Sequence, residues 1–178
     1  AAGMLGLAYE APEYKTRAVA DLAMRSMQLW PDFAASLHEM TGGGCNFRAD
    51  GAIACASDEA DEEKLAEIEA ACRAMKLPCD DVSDRVAALE PALTGGVRRA
   101  LRLKTDMQVD ARLLVARLAV ALEAVDAKCV TATEIDRVIV RGGKFETPDG
   151  ETWDQILLAT GAQGAAPVFV DASGAALE

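Results

Sequence analysis

Gln155-Ile156-Leu157-Leu158-Ala159-Thr160-Gly161 is the stretch that most restricts what this chain can fold into. An unbroken apolar run enters a corner of small residues, Ala159-Thr160-Gly161-Ala162. Such a run, bounded by turn residues, predicts a strand buried on both faces, as in the middle of an α/β sheet. Small residues at its carboxyl end leave room for a close backbone or a flat ligand. In open α/β sheets, ligands sit beyond the carboxyl ends of the strands.

The rest of the chain alternates helix and strand signals. Ala1 to Leu7, with Gly3 and Gly6, reads as a close-packed loop. After Pro12, apolar residues from Val19 through Leu22, Trp30, Phe33 and Leu37 recur at helical spacing, with Pro31 expected to kink that helix or start a second. Thr41-Gly42-Gly43-Gly44 stops it. A phosphate loop needs a strand before it and a helix after it, so this glycine run reads as a connector. Cys45–Phe47 and Ala52–Ala56 flank Arg48-Ala49-Asp50-Gly51, a hairpin signal.

Ser57 or Asp58 is expected to cap a helix to about Met75, its acidic first turns suiting the helix dipole and Leu65, Ile68, Cys72 and Met75 forming its buried stripe. These carboxylates read as a solvated helix start rather than a metal site. Ser83 caps a short helix, 84–89, and 97–103 alternates as a strand. There Arg98 and Arg102 share one side and Arg99 lies opposite with Leu101 and Leu103; an anion site and a solvated face are both open readings. Asp110 caps a further helix with Leu114, Leu118, Ala121, Leu122 and Val125 inward. Strands are expected at 129–133, 137–140 and 145–147, with turns at Gly142-Gly143 and Asp149-Gly150.

Composition excludes several classes. Lys and Arg number 18 against 29 Asp and Glu, a net charge of −11, which disfavours nucleic acid and anionic membranes as partners. No apolar run approaches the roughly 20 residues of a membrane span. Five cysteines without a CxxC pair argue against both a zinc site and a disulfide framework, and imply reduced thiols in a cytoplasmic protein. A single histidine, His38, leaves no partner for a His-based triad or zinc site. The first residue is Ala1 rather than methionine, and the chain stops soon after the apolar run; it is expected to be a fragment.

Ala1-Ala2-Gly3-Met4-Leu5-Gly6, followed by a long helix containing Leu29-Trp30, resembles the segment after the dinucleotide fingerprint in FAD-dependent glycine oxidases of the D-amino acid oxidase superfamily, nearest the thiamine-pathway type. Asp50-Gly51, Leu89-Glu90-Pro91, Gln108-Val109-Asp110, Asp149-Gly150, Trp153 and Ala159-Thr160-Gly161 continue the resemblance in the same order. It implies an α/β plus α+β fold: part of a glutathione-reductase-like Rossmann FAD-binding domain, with an inserted part of an antiparallel-sheet substrate domain. The FAD-binding parts would be 1–42 and 103–178, and the substrate-domain part 43–102. Ala2, Gly3 and Met4 would touch the flavin ring, with Met4 also bordering substrate; Ile135 would meet the adenosine half, and Thr160 and Gly161 would pack near the cofactor. The implied reaction is hydride transfer from a small amine or amino acid to flavin, then reoxidation by dioxygen and imine hydrolysis.

The fingerprint itself and the family's substrate-binding arginine and tyrosine find no match here. The chain alone is therefore expected neither to hold FAD tightly nor to turn over, and to self-associate through uncovered edges as a homo-oligomer. D-amino acid dehydrogenases and sarcosine oxidase-like enzymes remain alternatives within the superfamily. A non-catalytic acidic interaction domain is the alternative of another class.

Overall fold

The computed structural model describes residues 3–93, 95–161 and 166–177. They form two compact units, 1–128 and 129–178. The mixed α/β architecture expected from the sequence is present, with several small sheets.

In the first unit, strand β1 (Met4–Leu5) and a 3-10 turn (Ala11–Glu13) lead into helix α1 (Arg17–Thr41). Thr16 caps α1, its side chain accepting from Val19 N, and Gly42 closes it at φ +66°. The helix runs through Pro31 as one element, at the cost of one backbone bond, because proline has no N–H for the carbonyl of Met27. Ala20, Met27, Ala34 and Leu37 make its buried stripe.

Strand β2 (Ala52–Ala56), helix α2 (Glu59–Met75), strand β3 (Cys79–Asp81), the short helix α3 (Val86–Leu89) and strand β4 (Arg99–Leu103) build the next layer. The sheet order is β2-β4-β3, all antiparallel. Alternation along the strands sends Ala54, Ala56, Leu101 and Leu103 to one face, where Leu65, Ile68 and Cys72 of α2 cover them. The opposite face carries Ile53, Cys55 and Ala100 under Val82, Val86, Leu93 and Val97. Asp58 caps α2 by accepting from Asp61 N at 2.9 Å. In the acidic start of α2, Asp61 accepts from Ser57 and Glu62 pairs with Arg98; further along, Glu67 pairs with Lys64, and Glu69 with Arg73 and Arg99.

Strand β5 (Met107–Gln108) pairs with β1 and leads into helix α4 (Ala111–Ala124). Asp110 caps α4 through Oδ1, which accepts from Arg112 N at 2.9 Å and Leu113 N at 3.0 Å. Asp110→Ala is expected to cost about 1 kcal/mol, with Asp110→Asn losing much less; urea midpoints of the two variants check this. Leu114, Leu118 and Ala121 pack on Ala34, Leu37, Cys45 and Val109. Leu122 and Val125, expected inward, are 42% and 60% exposed, because that core is narrower than the apolar face of α4.

The second unit is a sheet of order β8-β7-β6-β9, from β6 (Arg137–Arg141), β7 (Lys144–Glu146), β8 (Thr152–Trp153) and β9 (Val168–Val170). The β6–β9 pair is parallel.

Four sequence expectations are corrected. The run at 155–159 is not a buried strand: it has no strand pairing, and Leu157 is 90% exposed. Both sides of β6 are taken by β7 and β9, and the outer side of β9 by Ala176 and Leu177, so the run finds no place beside either. Residues 129–133 do not form a strand, since Ala132 turns left-handed at φ +55°. The hairpin expected at 45–56 is replaced by two separate pairings. β2 joins β4, while Arg48 bridges to Gln108 and the Cys45 carbonyl accepts from Asp110 N. The helix expected at 84–89 is a single turn from Val86, with Arg85 at its start.

Candidate functional site

The site is built at the β1–β5 edge. Gly3 holds φ +82°, and its carbonyl accepts from Val109 N at 2.9 Å. A Cβ on Gly3 would stand 2.1 Å from the Val109 carbonyl oxygen. The demand for glycine is thus set by the chain's own backbone. Met4 follows, opposite Gln108, with its side chain 72% exposed. Leu5 turns inward onto the α1–α4 core.

Beside this edge lies a recess of about 580 Å³, lined by Asn46, Phe47, Arg48, Gln108, Val109 and Asp110. Phe47 is anchored from behind by Trp30, their rings stacked at 6.2 Å. Asn46 sits left-handed at φ 52°, which asparagine tolerates better than most residues. The Arg48 guanidinium is neutralised by Asp50 at 2.8 Å, and the Asp110 carboxylate is occupied by the α4 cap. What remains is an apolar back wall, the two neutral amides of Asn46 and Gln108, and an exposed thioether on the flank. Such a surface suits a flat ring with hydrogen-bonding edges.

Asp106 ties this edge together. It is only 4% exposed, and its carboxylate accepts from Ala8 N at 2.6 Å and Tyr9 N at 3.1 Å. Burial pushes its pKa above the ordinary 3.8, outweighing those two donors. A carboxyl group raised on folding binds its proton more tightly in the native state. Its ionisation therefore weakens the fold as pH climbs from 3.8 through the raised native value. Asp106→Asn removes this titration, while its NH2 group confronts a backbone N–H. The stability gap between wild type and Asp106→Asn should be widest at acid pH and narrow as pH rises through that window. Urea unfolding of both proteins across the acid range checks the sign.

Of the residues singled out from the sequence, Gly3 and Met4 are adjacent here, and Ala2 lies outside the described residues. Ile135 belongs to the second unit, in the loop before β6 rather than in a strand, and is 43% exposed. Thr160 and Gly161 end the exposed 155–159 run, Gly161 at φ +71°. Sequence reasoning did not pick out Asn46, Phe47 and Arg48 as site residues; it read them as a hairpin. Gln108 entered only through the motif preceding Asp110.

Residues 1–175 match the family described as "DAO: FAD dependent oxidoreductase", and the chain belongs to that family. Glycine oxidase from Geobacillus kaustophilus is similar to it, at 27% identity and a TM-score of 0.70 over 97% of this chain and 44% of that one. Glycine oxidase from Bacillus cereus is similar at 23% identity and a TM-score of 0.69, over 84% of this chain and 40% of that one. Iminodiacetate oxidase from Chelativorans is similar in fold at 18% identity and a TM-score of 0.61, over 96% and 43%. No curated protein sequence matches the chain. The chain spans less than half the length of these structural neighbours.

FAD is the cofactor of this family. The described residues fit one part of it. The Met4 edge and the Asn46–Gln108 recess suit the rim of a flat ring. The pyrophosphate is not matched: the amino ends of α1, α2 and α4 are occupied by Thr16, Asp58 and Asp110, and two of those caps are carboxylates that repel a phosphate. Among the described residues, no helix is long and apolar enough to cross a membrane.

Proposed function

We propose that this chain is part of a glycine oxidase-like, FAD-dependent enzyme acting on a small amine or amino acid, of the thiamine-pathway type. The observation that carries the reading is the likeness to a glycine oxidase at 27% identity across 97% of the chain. Residues 1–42 and 103–178 would be the FAD-binding parts and 43–102 the substrate-domain part. Ala2, Gly3 and Met4 would border the ring, Met4 would also touch substrate, and Ile135, Thr160 and Gly161 would lie along the rest of the cofactor. FAD, when bound, supplies the electron acceptor for oxidation at the substrate's α-carbon. The chain's own part is positional: the Asn46 and Gln108 amides orient a ring edge, and Met4 shields it from water. Cytoplasmic location belongs to the same reading.

The test is the full-length open reading frame, purified and assayed for a yellow flavin spectrum and for peroxide release with glycine, sarcosine, iminodiacetate and D-amino acids. Flavin together with peroxide from glycine supports the reading. Peroxide from iminodiacetate in preference to glycine would favour a secondary-amine oxidase, to which the Chelativorans likeness points. Flavin reduction without peroxide would indicate a dehydrogenase, and a full-length protein without flavin an interaction domain.

Self-association is part of the proposal. Val19, Leu22, Leu29, Phe33 and Met40 are all at least 41% exposed and fall on one stripe of α1, beside its buried face. The 178-residue chain is expected to scatter light as more than an 18.7 kDa monomer; a monodisperse monomer would refute the homo-oligomer.

A further inference from the structure

Two cysteines meet inside the first unit. Cys72 ends the buried stripe of α2 and is 1% exposed. Cys79 opens β3, directly opposite Leu103 of β4. Residues opposite each other in a ladder share a face, and Leu103 lies on the face that α2 covers. Cys79 therefore points toward α2, and it packs against the cluster that holds Cys72. The chain between them makes a tight return: Lys76 turns left-handed at φ +57°, and Leu77 N donates to the Cys72 carbonyl at 2.8 Å. The two sulfhydryls end within hydrogen-bonding reach of one another. The other thiols lie elsewhere. Cys55 belongs to the opposite face of the sheet, Cys45 to the α1–α4 core, and Cys129 is exposed in the second unit.

The pair is unequal in access. Cys72 is buried, whereas Cys79 is half-buried and open to a small reagent. Burial pushes the Cys72 thiol up to about 12, helped by Cys79, Asp106 and Glu69. Burial also raises Cys79; Glu69 of α2 and neighbouring Asp80 add to this, while the Cys72 sulfhydryl and Arg99 of β4 oppose it. Both thiols are thus protonated at neutral pH, and a thiol reacts through its thiolate. The pair is slow to react, and Cys79 is the member that reacts first.

We propose that Cys72 and Cys79 form a redox latch, closed as a disulfide by hydrogen peroxide, that ties β3 to α2. The Cys79 thiolate attacks one peroxide oxygen, the O–O bond breaks, and the departing hydroxide takes up the thiol's proton as water. The sulfur, oxidised by two electrons, is then a sulfenic acid. The Cys72 sulfur attacks it; the S–S bond forms as the S–O bond breaks, and hydroxide leaves as water with the Cys72 proton. In sum, two thiols and one peroxide give one disulfide and two waters. Strand β3 is the edge of its sheet and pairs with β4 alone, so a covalent tie restrains it directly. The Cys72 sulfhydryl stands 3.8 Å from the Ala8 carbonyl, which Ala11 N also serves at 3.3 Å, so oxidation does not strip that carbonyl of its donor. The inference goes beyond the oxidase reading, because the peroxide is added and no flavin takes part.

The 178-residue chain carrying Cys129→Ser, which removes the exposed thiol, would be treated with hydrogen peroxide, alkylated at its remaining thiols and digested with trypsin. Peptides 65–73 and 77–85 are expected to be joined with the loss of two hydrogens, and to separate after dithiothreitol. The rate should climb about tenfold per pH unit between about 7 and 9, as the Cys79 thiolate fraction grows. Cys72→Ala should leave Cys79 as a sulfenic acid that dimedone captures. In Cys79→Ser, Cys72 should oxidise at least about tenfold more slowly than Cys79 does in the parent. Amide exchange at Cys79–Asp81 should slow in the oxidised protein, while that of β6 stays as it was. Any of four results would overturn the proposal: a disulfide through Cys45 or Cys55 instead, a sulfenic acid on Cys79 that persists beside Cys72, a cross-link that forms only in urea, or unaltered exchange in β3. Should Cys72→Ala fail to fold, the cross-link, its pH profile and Cys79→Ser decide the question. Because the readout is peptide mass and exchange, its failure leaves the flavin assay of the full-length protein untouched, and the reverse holds too.

Discussion

Ile68→Ala should lower the stability of the first unit by about 2–5 kcal/mol, the range for removing most of a fully buried aliphatic side chain. Ile68 is 0% exposed and sits midway along the α2 stripe, between Leu65 and Cys72. Its neighbours are strand residues, Ala54, Ala56, Leu101 and Leu103, held in a ladder that cannot close inward without breaking pairing. Three buried alanines in that cluster add to the cost, since short side chains cannot swing into the hole. Ile68→Val, which deletes one methylene, should cost only about 0.5–1.5 kcal/mol. Urea unfolding followed by far-UV circular dichroism gives both values. A loss under about 1 kcal/mol for Ile68→Ala would mean that α2 does not pack on β2 and β4 as described.

Gly3→Ala is the second large effect, and its character differs. Two penalties coincide: a left-handed backbone conformation, costing about 1–2 kcal/mol for a residue with a Cβ, and a Cβ 2.1 Å from the Val109 carbonyl oxygen. No rotamer change relieves a clash with backbone, so the opening segment must leave β5. The Met4–Gln108 and Leu5–Met107 pairings and the bond from Val109 N to the Gly3 carbonyl should be lost together. Leu5 would be withdrawn from the α1–α4 core. Hydrogen exchange should therefore quicken at Val109, while amides of the β2–β4 ladder keep their protection. Unchanged exchange at Val109 would show that Gly3 does not dock there. In the intact enzyme of the proposed function, the same substitution should also weaken flavin retention, which the visible absorption of the full-length variant reports.

Much of the helical architecture was legible because its determinants lie close together along the chain. The stripe Leu65–Ile68–Cys72, the cap at Asp58, the stop at Gly42 and the cap at Asp110 each involve residues within a turn or two of one another. The turns at Gly142-Gly143 and Gly150 were legible for the same reason, each glycine adopting a positive φ. The colinear motifs from Gly3 to Gly161 pointed to the family, to which the match over residues 1–175 assigns the chain.

The errors fall where a residue's fate depends on a distant partner. Leu157 and Leu158 are as apolar as Leu101 and Leu103, yet the first pair is exposed and the second buried. Only the second lies on a strand with neighbours on both sides. A strand's hydrogen bonds come from other strands, so an apolar run cannot declare whether a sheet position is open to it. The same holds for the recess beside Met4, where Arg48 bridges to Gln108 from a distant part of the chain. By itself the sequence determined the three long helices, the caps at Asp58 and Asp110, the turns at Gly142-Gly143 and Gly150, and the family, since these rest on local hydrogen bonding and on ordered motifs. Tertiary structure alone decided which strands pair and that Gly3 answers to Val109, because each is set by the approach of groups far apart in the chain.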